Sequence, residues 1–149
     1  DATFQMLSEG KGSYPLSKTP PYMKGQLVGG NLSVISSIYG TPSLPSLNGC
    51  ILFLEDLDEY HYHLDRMLLS LKRQGAFEGL QGVLLGTFSD IHDHSIKWGA
   101  RVGTTLRKYF AELGIPAVSG FPVGHEPDNA PIIVGVHAEV DKGTLRFSL

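Results

Sequence analysis

Residues 50–66, CILFLEDLDEYHYHLDR, place five acidic side chains and two histidines directly behind an apolar run. Such a stretch can either ligate a metal or supply part of a proton relay. In a strand, alternate side chains share a face, so Ile51, Phe53 and Glu55 point one way and Leu52, Leu54 and Asp56 the other. Glu55 then leaves the carboxyl end of a buried strand, the edge of an open α/β sheet where loops converge and sites are built. The plainer reading makes Glu55 or Asp56 a helix cap or a solvated carboxylate. His125 lies in GFPVGHEPDNAPIIVGV, after a glycine and ahead of a strand. A relay needs a carboxylate to hold an imidazole in its correct tautomer, two roles open to Glu55 and His125. A surface or hydrogen-bonded histidine is the alternative.

The pairs His61/His63 and His92/His94, with Asp58, Glu59, Asp90 and Asp93 close by, invite a metal reading. Their i, i+2 spacing faces one way only on a strand, whereas the first pair sits at a loop-to-helix junction and the second in a polar loop. No His-Glu-x-x-His or four-ligand pattern occurs, so solvated loop histidines and no metal are expected. GQLVGGN lacks both dinucleotide and phosphate-loop spacing, and no cofactor is expected.

These residues need elements to position them. QLVGGNLSVISSIYG predicts a strand, a glycine turn and a helix with Asn31 as N-cap and Gly40 as its stop. Leu64, Met67, Leu68 and Leu71 recur at helical spacing up to Gly75. GVLLGTF (82–88) is a second buried strand, and Trp98, Val102, Leu106, Tyr109 and Leu113 form the stripe of another helix, followed by the strand IPAVS. The tail alternates around DKG as an antiparallel hairpin. Strand-helix repeats followed by a hairpin indicate an α/β fold with a mixed sheet and packed helices. Residues 1–24, rich in turn formers, are read as a linker or arm, and 25–149 as the folded domain.

The chain has 149 residues, enough for one core. A net charge of −3 with scattered basic residues offers no stripe for phosphates and excludes a nucleic-acid footprint. Cys50, the single cysteine, rules out an internal disulfide. The uncharged stretch from Gly25 to Leu54 is broken by Pro42, Pro45 and glycines, which fits core and turns rather than a membrane span. The start at Asp1, without initiator methionine or leader, suggests a piece of something longer.

GQLVGGNLSVISSIYGTP, the stretch from GCILFLED through DRMLLSLKRQGAFEGLQGVLLGTF, and LGIPAVSGFPVGHEPDNAPIIVGVHAEVD follow one another in register. Across roughly 25–141 they resemble the C-terminal domain of the LD-carboxypeptidases, serine peptidases of murein recycling whose family includes the microcin self-immunity peptidases. The resemblance implies a swivelling β/β/α fold and a Ser-Glu-His triad, with Glu55 and His125 as its glutamate and histidine. The serine would lie on an N-terminal flavodoxin-like domain absent from this chain. It further implies a cytoplasmic enzyme cleaving the bond between an L-centre and a terminal D-alanine in murein tetrapeptides. Two departures stand out. Tyr62, His63 and Leu64 replace a common Tyr-Arg-Ile, and Pro131 to Val134 replace a Thr-Leu-Pro-Leu run. FSD (88–90) looks like the nucleophile signature but falls at the domain's own strand end without a glycine elbow, so Ser89 is read as a loop residue. Rival readings are a microcin-immunity peptidase, with Trp98 as its available adenine platform, and a non-catalytic docking domain. Arg66, Lys97 and Arg101 are possible partners for a substrate carboxylate or plain helix charges. An apolar patch around His125, left by the absent domain, favours self-association, and a homodimer is the expected assembly.

Overall fold

β3 (Cys50–Leu57) organises the molecule because its apolar residues succeed one another on both faces, and such a strand is stable only with both faces covered. Cys50 through Asp56 are all buried. A computed structural model of the chain describes residues 6, 8–16, 21–93, 99 and 101–148. It has one seven-stranded sheet in the order β1 (Lys11–Pro15), β7 (Thr144–Ser148), β6 (His137–Asp141), β2 (Met23–Asn31), β3, β4 (Gly82–Ser89) and β5 (Ala117–Ser119). β2 to β5 run parallel to their neighbours. The pairings β2–β6, β6–β7 and β7–β1 are antiparallel.

The parallel strands are joined through α1 (Leu32–Ile38), α2 (His61–Arg73) and α3 (Val102–Glu112). These connections step across the sheet in one direction, and crossovers of one hand then put every helix on the same face. That face buries Leu52, Leu54, Val83 and Leu85 against Ile35, Leu68 and Phe110 of the three helices. The opposite face buries Leu27, Ile51, Phe53 and Leu84 under Phe121, Val123 and Val136. Phe121, Val123 and Val136 come from the 120–136 segment between β5 and β6, which forms neither helix nor strand. β6 and β7 turn through Lys142 (φ 46°) and Gly143 (φ 77°), the two positive angles of a two-residue hairpin turn.

The mixed α/β sheet and C-terminal hairpin match the sequence reading; several boundaries differ, and Gly29 and Gly30, expected as a turn, are instead paired residues of β2. The 1–24 arm contains β1, paired along β7 from Lys11↔Ser148 to Pro15↔Thr144, and Met6 is buried in the core. Its alternation was masked by Gly12 and Pro15, although a Cβ on Gly12 would run into the Phe147 ring. His61 and His63 belong to the first turn of α2 rather than to a junction. Residues 131–136 lie along the sheet as irregular chain before the hairpin begins at His137. Trp98 lies outside the described residues. Among the described residues no helix is long and apolar enough to cross a membrane.

Candidate active site

The carboxyl ends of β2, β3 and β4 converge on two adjacent carboxylates. Asn31, the last residue of β2, stands in register with Glu55. Strand alternation then sends Glu55 and Asp56 to opposite faces, and the pairing of β3 with β4 shifts between Leu54 and Asp56 to admit an extra residue on β4. Asp56, 1% exposed, turns to the helix face. Its Oδ1 accepts from Asn31 Nδ2 at 2.7 Å and from the Leu57 N–H at 2.9 Å, and its Oδ2 from the Ser33 N–H at 3.0 Å. Asn31 Oδ1 in turn caps α1 by accepting from the Val34 N–H at 3.1 Å. Asp56 is therefore a structural anchor that welds the start of α1 to the end of β3.

Glu55, 7% exposed, turns to the other face, where His125 meets it: Nδ1 lies 2.8 Å from Glu55 Oε2. An ionised carboxylate can only accept, so in a neutral imidazole bonded to it the hydrogen sits on Nδ1 and the lone pair on Nε2. The imidazole is 45% exposed, so its second nitrogen can reach a reactant while the first is held. Burial pushes the Glu55 carboxyl above its ordinary value of 4.5; the charge and hydrogen bond of His125 pull it down, Asp56 pushes it up, and a hydrogen bond from Asn31 lowers it.

Two glycines let the 120–136 segment come this close. A Cβ on Gly86 would overlap the Val123 carbonyl oxygen and stand 3.2 Å from Glu55 Cβ. One on Gly124 (φ +155°) would overlap Thr87 Oγ1. Thr87 N–H donates to the Val123 carbonyl at 2.8 Å, pinning the segment to β4 just before His125. Beyond it, Ser89 Oγ donates to Glu126 Oε1 at 2.6 Å. Ser89 is thus the last residue of β4, not a loop residue, and its hydroxyl is engaged.

His61, His63 and His92 are paired and not merely solvated. His63 Nδ1 lies 2.8 Å from Glu59 Oε2, and His92 Nε2 lies 2.7 Å from Asp58 Oδ1. His61 Nε2 is 3.7 Å from Asp93 Oδ1. The His92–Asp58 and His61–Asp93 contacts tie the β3–α2 turn to the β4–α3 turn, where Tyr60 and His92 form a parallel bridge. Among the described residues no three His, Cys, Asp or Glu groups are placed to hold a metal ion. Arg66 packs its guanidinium over Tyr62 at 4.9 Å, and Arg101 lines an open cleft with His61, Gly86 and Gly120. His94 and Lys97 lie outside the described residues.

The family model for the LD-carboxypeptidase C-terminal domain matches residues 24–140. This chain belongs to the LD-carboxypeptidase family. A probable murein peptide carboxypeptidase of Bacillus subtilis (strain 168) is 34% identical over 128 residues, 85% of this chain and 40% of that protein. The murein tetrapeptide carboxypeptidase of Pseudomonas aeruginosa is 29% identical over 126 residues, 84% of this chain and 42% of that protein. The crystal structure of muramoyltetrapeptide carboxypeptidase from Oxalobacter formigenes superposes with a TM-score of 0.86 at 29% identity, covering 99% of this chain and 54% of that one. The chain therefore spans about half or less of the length of these carboxypeptidases.

Within this LD-carboxypeptidase domain, Glu55 and His125 are brought together across 70 residues of sequence. Sequence reasoning missed two residues that hold the site. Asp56 was open to a cap or solvent role, whereas it is buried under three hydrogen bonds that only the pairing of β2 with β3 reveals. Asn129 reads as a turn former in EPDN, and no signal in the sequence separates it from Asp128.

Proposed function

We propose that this chain supplies the glutamate and histidine of a Ser-Glu-His relay in a serine LD-carboxypeptidase. In this reading the enzyme hydrolyses the bond between an L-centre and the terminal D-alanine of murein tetrapeptides during peptidoglycan recycling in the cytoplasm. The observation that carries it is the 2.8 Å contact between His125 Nδ1 and Glu55 Oε2, with the second imidazole nitrogen at a half-exposed edge. The serine and its oxyanion donors come from an N-terminal domain. The relatives have room for it, since the matched residues cover only 40% of the Bacillus protein.

In the first step the serine oxygen bonds to the carbonyl carbon of the L-centre while His125 Nε2 takes the serine proton. Glu55 holds the imidazole by its other nitrogen and stabilises the imidazolium that forms. As the tetrahedral intermediate collapses, the C–N bond breaks and Nε2 gives its proton to the departing D-alanine amine. Water then attacks the acyl ester with His125 again as base, releasing the shortened peptide and restoring the serine.

Two apolar side chains, Val34 in the first turn of α1 and Val134 ahead of β6, are about half exposed. They fit a surface that a second domain, or a second copy in a homodimer, covers.

Release of D-alanine from a diaminopimelyl-D-alanine peptide tests the proposal. Residues 1–149 alone should release none, because a base and its orienter lack the nucleophile and oxyanion donors, and joining them to the nucleophile domain should produce turnover. Turnover by the isolated chain contradicts this division of labour. A joined protein that cleaves an acyl-sulfamoyl adenylate and not the peptide belongs to the microcin-immunity branch; one that cleaves neither is a docking domain.

A further inference from the structure

We infer that Asn129 is a positioning residue that sets the direction of the His125 imidazole, an inference resting on the relay reading above. Glu55 holds the ring and Thr87 and Ser89 hold Val123 and Glu126 on either side, but none of these bonds fixes the peptide that joins Gly124 to His125. The His125 side chain is 45% exposed, so packing does not dictate its rotamer, and the segment around it contains neither helix nor strand. The carboxamide of Asn129 instead clasps the peptide units on both sides of Gly124. Its Oδ1 accepts from the Gly124 N–H at 3.0 Å, and its Nδ2 donates to the Gly124 carbonyl at 2.8 Å.

That paired exchange is what a neighbouring strand would give an extended residue. Here a side chain five positions later supplies it. The Gly124 carbonyl belongs to the same planar peptide unit as the His125 nitrogen, so fixing that carbonyl fixes the bond from which the imidazole departs. Gly124 needs this restraint because its φ of +155° lies in a region most residues avoid. Rotation of the peptide would swing Nδ1 off Glu55. A glycine alone would let the turn form in many ways, and Asn129 selects one.

Asn129 touches no reacting atom, so its effect should appear in the state of the imidazole. In ¹⁵N-labelled protein, two-bond proton–nitrogen correlations distinguish a single Nδ1–H tautomer from a mixture. The wild-type chain should give a single Nδ1–H pattern for His125. Asn129→Asp, which keeps the acceptor for the Gly124 N–H but sets an oxygen against the Gly124 carbonyl, should give a mixture. Asn129→Ala should do the same, with the backbone amide spectrum otherwise preserved.

In the enzyme joined to its nucleophile domain, either variant should lower kcat by roughly 10- to 100-fold with KM nearly unchanged, as expected for a displaced catalytic group. A folded variant that keeps the wild-type His125 pattern overturns the inference. The spectra require no activity, so a His125→Ala enzyme that remains active would refute the relay while leaving the Asn129 result to stand or fall separately. Should Asn129→Ala unfold, the near-isosteric Asp variant decides.

Discussion

Glu55 carries a cost that its neighbour only partly offsets. A carboxylate with 7% of its surface exposed has lost most of its water, and this desolvation is the leading reason its proton binds more tightly than in the unfolded chain. The native state therefore takes up the proton more readily. The resulting stability is fully present below the ordinary value of 4.5 and is lost as pH rises through the raised native value. Glutamine at this position cannot titrate. The unfolding free energy of the wild type relative to Glu55→Gln should therefore fall as pH is raised from below 4.5 to neutrality, read from urea melts at each pH. A difference that stays flat, or rises with pH, contradicts the account of Glu55. Glu55 was readable in the sequence because two carboxylates end an apolar strand run, and chain alternation sends them to opposite faces. Asn129 was not, because the clasp on Gly124 depends on how an irregular loop closes, which no periodicity records.

The strands and helices were legible wherever a period was present. The apolar run of β3, the i, i+3, i+4, i+7 stripe of α2 and the DKG turn each placed their element within a few residues. The N-cap rule found Asn31, but only the folded pairing of β2 with β3 reveals that the same side chain donates to Asp56. β1 was lost because glycine and proline weaken a short edge strand on paper, while in the fold Gly12 leaves space for Phe147. This strand also reaches the site. Tyr14 packs its ring edge on Phe121 with centroids 5.6 Å apart, and its hydroxyl donates to the Pro131 carbonyl at 2.8 Å, bracing the segment that carries His125. Tyr14→Phe keeps the ring and removes that bond. It should cost about 0.5 to 1.5 kcal/mol in denaturant unfolding. An unchanged midpoint and slope would remove β1 from the support of the site.

At the scale of the whole molecule, one sheet separates two kinds of covering. Three helices close one face and seat Asp56; an irregular segment packs on the other and brings His125 to Glu55. This arrangement places the Glu55–His125 pair at one rim, and it explains why a chain spanning 40% of the length of its Bacillus relative can form a complete core. In the proposed relay the serine is supplied to that rim by residues outside the matched ones. The most direct measurement is the rate of D-alanine release by the enzyme joined to its nucleophile domain, comparing wild type with His125→Ala. The relay predicts a fall in kcat on the order of 10⁴ to 10⁶, as for members of such triads, with the folded protein and its substrate binding retained; a variant within tenfold of the wild type would contradict it.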